Sequence, residues 1–242
     1  MSKFRVREVS STSTSTSSSM MTSRKKKKEP PTYQLENISF SFPSNICFAG
    51  VTGSGKTKLL IRFLELHKSE FHRIFVFCGL GALSGDYDWC KNIYRTDDMV
   101  TLEKIFNMQE RLWTQKKCYR VCIIFDDFVG TLSMVGGRAG KLIDKVISQG
   151  RHAGISVIFL TQKITKYVTP LVRSNSKYWF ITQINSGSIM GVIHEEQSDY
   201  TDKFQLLDDY NAHRRSLPYG SMLIQNASPS DPSVMFLEPI QL

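Results

Sequence analysis

Ile46-Cys47-Phe48-Ala49-Gly50-Val51-Thr52-Gly53-Ser54-Gly55-Lys56-Thr57 is the stretch from which the fold is read. Its first four residues are an unbroken apolar run, the pattern of a strand buried on both faces. Gly50 to Thr57 fit G-x-x-x-x-G-K-[ST], a loop whose backbone N–H groups curl around phosphate oxygens. From Lys56 to His67, Leu59, Leu60, Phe63 and Leu64 fall on one face, the spacing of an amphipathic helix. Strand, glycine-rich loop and helix in that order are the context the motif needs. The helix N-terminus adds the positive end of its dipole. The predicted phosphate-binding residues are Gly50, Thr52, Gly53, Ser54, Gly55, Lys56 and Thr57. Lys56 would reach the β- and γ-phosphates of ATP, and the Thr57 hydroxyl would take a place on Mg²⁺. The alternative is a glycine-rich turn that holds no ligand.

Outward from this unit, short apolar runs alternate with amphipathic stretches. Strands are expected at Arg73–Cys78, Val121–Phe125, Ile155–Leu160 and Tyr178–Thr182. Asp97 or Asp98 can cap a helix carrying Ile105, Phe106, Leu112 and Trp113, and 142–149 reads as a further helix. Leu223–Gln225 and Val234–Leu237 are expected as short edge strands. The alternation predicts an α/β fold with a mostly parallel central sheet flanked by helices. The second half of a phosphate site should be an acid at the end of another buried strand, and Asp126-Asp127 follow Val121–Phe125. Asp126 would hold Mg²⁺ and Asp127 would polarise the attacking water; the alternative is a turn or helix cap. One strand, Arg73–Cys78, intervenes between loop and acids. That order resembles the additional-strand (ASCE) class of P-loop ATPases, and the guanine-reading N-K-x-D is absent. In that class the strand after the acids lies beside the loop strand. Its end here is Thr161-Gln162, where the Gln162 amide could bond both water and phosphate; the alternative is a solvated polar strand end.

The chain has 242 residues, enough for one compact domain of roughly 200 residues and a tail. No run of 18 apolar residues occurs, and the polar N-terminus lacks the apolar segment of a signal peptide, so an intracellular protein is expected. Residues 10–19 are all Ser or Thr, Arg24 to Lys28 are basic, and Pro30-Pro31 follow. Such a segment buries too little apolar area to offset its ordering entropy, so residues 1–32 are read as a disordered tail before a domain at 33–242. Residues 1–30 carry six of the nine net positive charges, so the basic balance belongs mostly to the tail. That basic run could direct nuclear import or touch nucleic acid, or it could simply be solvated. The five cysteines show no C-x-x-C, and reduced thiols are expected.

Gly150-Arg151-His152-Ala153-Gly154-Ile155-Ser156-Val157-Ile158-Phe159-Leu160-Thr161-Gln162 is similar to the R-x-x-G-I-x-h-h-h-x-T-Q stretch of FtsK/HerA-type DNA translocases. Thr169-Pro170-Leu171-Val172-Arg173-Ser174-Asn175 resembles their next motif. The compact size, the Asp-Asp pair and Arg151-His152 look most like the genome-packaging ATPases of poxviruses, virophages and polinton-like elements. The resemblance covers roughly residues 45–185. Cellular members usually carry Asp-Glu where this chain has Asp126-Asp127, so the second acid is one methylene shorter. The resemblance implies a homo-oligomeric ring, a pentamer or hexamer, that hydrolyses ATP at subunit interfaces and drives double-stranded DNA through its pore. It further implies a capsid or portal vertex as partner, no membrane, and a place in the host cytoplasm or nucleus and in the virion. It also implies an arginine finger given by a neighbouring subunit, which typically raises the rate about 10³–10⁵-fold. By motif position Arg151 is the first candidate and Arg173 the second; each could instead be a surface cation at a helix end.

DNA contact in such a motor is mostly electrostatic and indifferent to sequence. Gly130 to Lys141, with Arg138 and Lys141, is a candidate pore loop, and Gly79-Leu80-Gly81-Ala82 a second; both could be ordinary surface loops. His213-Arg214-Arg215 is basic but points to no partner. The rival readings are a nucleotide or small-molecule kinase, and a nucleotide-dependent switch with little turnover. A kinase needs an arginine-bearing lid and an acceptor pocket, and the region after residue 185 is short and rich in Gln, Ser and Asp, which suggests no such lid.

Overall fold

The structure, a computed structural model, describes residues 31–79, 85–126, 137–162, 168–184, 190–194, 202–226 and 233–240. The strands are β1 (Thr32–Tyr33), β2 (Asn45–Ala49), β3 (Arg73–Cys78), β4 (Ile93–Arg95), β5 (Val121–Asp126), β6 (Ile155–Thr161), β7 (Ser176–Ile181), β8 (Ser221–Gln225) and β9 (Ser233–Leu237). The helices are α1 (Lys56–His67), α2 (Met99–Thr114), α3 (Arg138–Gln149), α4 (Pro170–Asn175) and α5 (Lys203–Ser216). The strands form one sheet in the order β1-β9-β8-β7-β2-β6-β5-β3-β4. Among the described strands only β8 runs against its neighbours, pairing antiparallel with β7 and β9. The fold is therefore α/β with a mostly parallel central sheet, as the alternation of elements predicts.

Side-chain alternation explains why these strands read as continuous apolar runs. Ile46 and Phe48 of β2, Cys122 and Ile124 of β5, and Ile158 and Leu160 of β6 face a core with Leu59, Leu60, Phe63 and Leu64 of α1. Cys47 and Ala49, then Val121, Ile123 and Phe125, then Ile155, Val157 and Phe159, face the opposite core. That second core includes Leu102, Ile105 and Phe106 of α2 and Ile143, Val146 and Ile147 of α3. Both faces are covered, so neither needs polar residues. Asp98 is the cap of α2, accepting from the Thr101 N–H at 3.0 Å. Phe48 stacks on Phe180 with ring centroids 4.5 Å apart, and Phe63 meets both edge-on at 5.9 and 5.6 Å. This aromatic cluster clamps α1 onto β2 and β7, which fixes the loop that joins β2 to α1. Burial pushes the Cys47 and Cys122 thiols well above their ordinary range, so both are inert core residues.

Two expectations are corrected. The segments 223–225 and 234–237, expected at an edge, lie inside longer strands with a neighbour on each side. The edges are β1 and β4, neither of which the sequence suggests. A short strand carries no record of its neighbours, and pairing with β7 and β1 is decided by the tertiary fold.

Candidate active site

The parallel strands β2, β6, β5 and β3 end at one edge of the sheet, and their ends carry the polar residues. Ala49 of β2 lies level with Thr161 of β6, and Asp126 of β5 with Leu160. β6 lies between the loop strand and the acid strand, the order that the additional-strand class requires. From Ala49 the chain enters the loop. The Gly50 N–H donates to Thr161 O at 3.1 Å, and the Val51 N–H donates to Gln183 O at 2.7 Å. The loop is thus tied to both neighbours of β2. At Gly50 a Cβ would overlap Thr182 Oγ1, so only glycine fits against β7. Gly55, the residue before α1, has a left-handed φ of 89°, which opens the turn into the helix.

The loop side chains divide into two groups. Ser54 is buried, and its hydroxyl lies 2.7 Å from Thr182 Oγ1, which also donates to Ala49 O. Its side chain braces the loop from beneath and presents no hydroxyl to a ligand. Thr52 is exposed and donates to Gln162 Oε1 at 3.0 Å, joining the loop to the end of β6. Lys56 Nζ donates to Val51 O at 2.9 Å, so its ammonium lies across the loop. Thr57 occupies the first turn of α1.

Asp126 is the last residue of β5. The Tyr87 hydroxyl donates to Asp126 Oδ2 at 2.7 Å, and its ring is buried at 1% exposure. Burial, and then the Asp126 charge, push the Tyr87 hydroxyl far above its ordinary range. That direction favours the protonated hydroxyl, the form that donates to the carboxylate. The sequence offers no signal for this contact, because 39 residues separate the partners. Asp127 lies outside the described residues.

Among the described residues no cluster of three or more His, Cys, Asp or Glu could hold a metal ion. Mg²⁺ needs none, since it keeps several waters and takes one or two protein oxygens beside substrate phosphates. The Thr57 hydroxyl at the start of α1 and the Asp126 carboxylate at the end of β5 are hard oxygen donors, and their chemistry fits that ion.

Arg151 and Arg173 are not brought to this edge. Arg151 is exposed in the 3-10 turn Gly150–Ala153, which leads into the start of β6. Arg173 belongs to α4, which leads into the start of β7, and its guanidinium donates to Val168 O at 2.9 Å. Both stand at the opposite end of the strands. Six strand residues of rise set that separation at about 20 Å along β6. Most of the candidate pore loop 130–141 and residues 80–82 of the second candidate lie outside the described residues, while Lys141 is exposed on the first turn of α3. In the basic segment His213 is buried against Leu237 O, and Arg214 donates to Gly220 O at 2.8 Å. Those two side chains are structural.

A family model described as Poxvirus A32 protein matches residues 34–217. Among solved structures, the chain is similar to the DNA-packaging ATPase B204 from Sulfolobus Turreted Icosahedral Virus, with 17% identity and a TM-score of 0.61 over 82% of this chain and 98% of that one. It is similar to the genome packaging NTPase B204 from Sulfolobus turreted icosahedral virus 2 in complex with AMPPCP, with 15% identity and a TM-score of 0.58 over 82% and 98%. It is also similar to ATPases 2 and 3 of EssC from Geobacillus thermodenitrificans, with 15% identity and a TM-score of 0.56 over 82% and 40%. At these identities the likeness establishes a shared fold. No curated protein sequence matches the chain.

Proposed function

Since the chain belongs to the poxvirus A32 protein family, we propose that it is an ATP-hydrolysing motor that translocates double-stranded DNA, packaging a viral genome into a capsid. The observation that carries this reading is the Thr52–Gln162 hydrogen bond, with Asp126 on the next strand. It links the phosphate loop to the strand end where a terminal phosphate would lie, so nucleotide state can reach β6.

In this reading the backbone N–H groups of 50–57 bind the phosphates of ATP, and Lys56 neutralises charge on the β- and γ-phosphates. Thr57 and Asp126 hold Mg²⁺, which supplies charge neutralisation on the phosphate oxygens. Asp127 orients and polarises the attacking water. Gln162 exchanges its bond with Thr52 for one with the γ-phosphate or the water, reporting the presence of the phosphate to β6. The groups that bind and cleave ATP are thereby separated from Arg151 and Arg173, which stand at the far end of the sheet. We assign Arg151 as the cation that acts on a neighbour's phosphates, with Arg173 as second choice.

The same reading includes a homo-oligomeric ring, a pentamer or hexamer, docked at a capsid or portal vertex. Residues 33–242 form the ATPase domain and 1–32 its tail, of which Thr32 already pairs with Phe236 in the sheet. The site of action is the host cytoplasm or nucleus, with carriage in the virion. No described helix is long and apolar enough to cross a membrane.

The deciding experiment is steady-state ATP hydrolysis with and without long duplex DNA. Stimulation by DNA of any sequence is expected. Phosphate transfer to a small acceptor, or no turnover in either condition, would overturn the motor reading. Mixing Arg151→Ala with Lys56→Ala subunits tests the finger. A mixed ring pairs some intact loops with an intact Arg151, so part of the activity should return. Co-assembled mixtures with no recovery would remove Arg151 from the role.

A further inference from the structure

Tyr219 sits in the turn between α5 and β8. Its backbone is left-handed, with φ of 67°. Bulky side chains rarely occupy that region, and such outliers collect at functional sites. The residue is 66% exposed, so burial of the ring is not what holds it there. The turn itself does so. The Gly220 N–H donates to Leu217 O at 2.9 Å, and the Arg214 guanidinium donates to Gly220 O at 2.8 Å. A Cβ at Gly220 would lie 2.5 Å from His213 Nε2, so the chain is pressed against α5. The result is an aromatic ring held out from a fixed turn.

That ring borders the phosphate loop. Tyr219 Cδ1 lies 3.9 Å from the position of a Cβ at Gly55. The direction of a bound triphosphate decides which part of the ligand meets it. Gln162 and Asp126 come from β6 and β5, on one side of β2, and they define the end for the terminal phosphate. Tyr219 leads into β8, which lies beyond β7 on the other side of β2. A nucleotide with its terminal phosphate toward Gln162 therefore runs its α-phosphate, ribose and base toward Tyr219. We propose that Tyr219 is the stacking platform for the nucleobase. The proposal rests on the reading of Gly50–Thr57 as a nucleotide site, and it supplies the half of the ligand that the loop does not contact. An exposed ring on a fixed turn suits this task, because every base has a π-face and a tyrosine has only two side-chain torsions to immobilise on binding.

The test is calorimetric titration of the full chain with ADP and, separately, with inorganic pyrophosphate, which has no base. Tyr219→Ala should weaken ADP by about tenfold and leave pyrophosphate within about twofold. Tyr219→Phe should keep the ADP affinity. Tyr219→Gly suits the left-handed backbone, so it should repeat the ADP loss in a protein that melts no lower than the parent. ADP affinity unchanged in Tyr219→Gly overturns the proposal. So does an equal loss of ADP and pyrophosphate, which would make Tyr219 a support for the loop. A parent chain that binds neither probe, or a Lys56→Ala chain that binds both as the parent does, fails the phosphate-loop reading first and the platform with it.

Discussion

Replacing Tyr87 by Phe removes one oxygen and leaves the ring packing in place. That oxygen donates to Asp126 Oδ2 at 2.7 Å from a ring that is 1% exposed. A hydrogen bond to a charged group contributes roughly 1.5–3 kcal/mol. For a domain of this size about 2 kcal/mol lowers Tm by about 4–8 °C. The ring stays buried without strain, so no cavity term adds to this. Thermal unfolding followed by circular dichroism gives the total, and a double-mutant cycle with Asp126→Ala isolates the pair. The expected coupling is on the order of 1–2 kcal/mol. A second readout is the Mg²⁺ dependence of ADP binding. Tyr87→Phe should raise the Mg²⁺ requirement several-fold, because an unheld carboxylate is less well aimed, and should leave Mg²⁺-free ADP binding unchanged. Additivity of Tyr87→Phe and Asp126→Ala within about 0.5 kcal/mol would refute the reasoning, since the two side chains would then not interact in solution.

Lys56→Ala should reduce hydrolysis at least about 10²-fold while leaving the melting temperature near that of the parent; normal turnover by the folded variant would sink the site assignment. Gly50→Ala should lose nucleotide binding and about 1–3 kcal/mol of stability, because its methyl overlaps Thr182 Oγ1. Adding Thr182→Ala removes that overlap and should return part of the stability, and a double variant no more stable than Gly50→Ala contradicts the steric account. Burial holds the His213 imidazole below its ordinary value, Arg214 acts in the same direction, and its bond with Leu237 O opposes both. The unfolded chain therefore takes up the proton first, and stability is lost as pH falls from about 6.5 through the folded value. His213→Gln should flatten the fall in Tm between pH 7 and pH 5; an unchanged slope assigns that loss to other groups, His67 among them.

The parts of the fold legible in the sequence were those whose burial is symmetric. β2, β3, β5 and β6 read as apolar runs because helices cover both faces, and α1 read as a helix because its apolar residues fall on one side. α5 leaves no such pattern in the sequence, for the opposite reason. Its buried residues are Leu206, Asp209, Tyr210 and His213, so half of its inner face is polar or ionisable and no apolar period appears. Tyr210 and His213 are held there by bonds to Thr182 O and Leu237 O, partners set only by the tertiary fold. β1 and β4 have two and three residues, too few for any period. At the site, the loop and Asp126 announce themselves by local pattern. Tyr87 and Tyr219 do not, since a tyrosine in a loop gains its meaning from the strand end or helix start beside it.

A parallel sheet has two unlike ends, and in the function proposed above that polarity divides the chemistry. The loop 50–57, Asp126 and Gln162 stand where the strands end, and Arg151 and Arg173 stand where they begin. Along β6 the two ends are about 20 Å apart, farther than a guanidinium reaches. A single subunit cannot bring either arginine to its own phosphates without dismantling the sheet. A trans-acting Arg151 therefore requires that two different surfaces meet, the arginine-bearing surface of one copy and the loop-bearing surface of the next. A two-fold dimer satisfies that demand only where one patch carries both groups, so that each copy's arginine meets the other's loop. A heterologous contact satisfies it without that condition, and it closes into a ring when the rotation between neighbours divides the circle, or runs on as a filament when it does not. For the proposed trans role of Arg151, a ring is the closed form of the heterologous contact, in which the arginine-bearing end and the loop-bearing end need not share one patch. A chain that stays monomeric with ATP and duplex DNA present would deprive Arg151 of its role and leave the site to be completed from within.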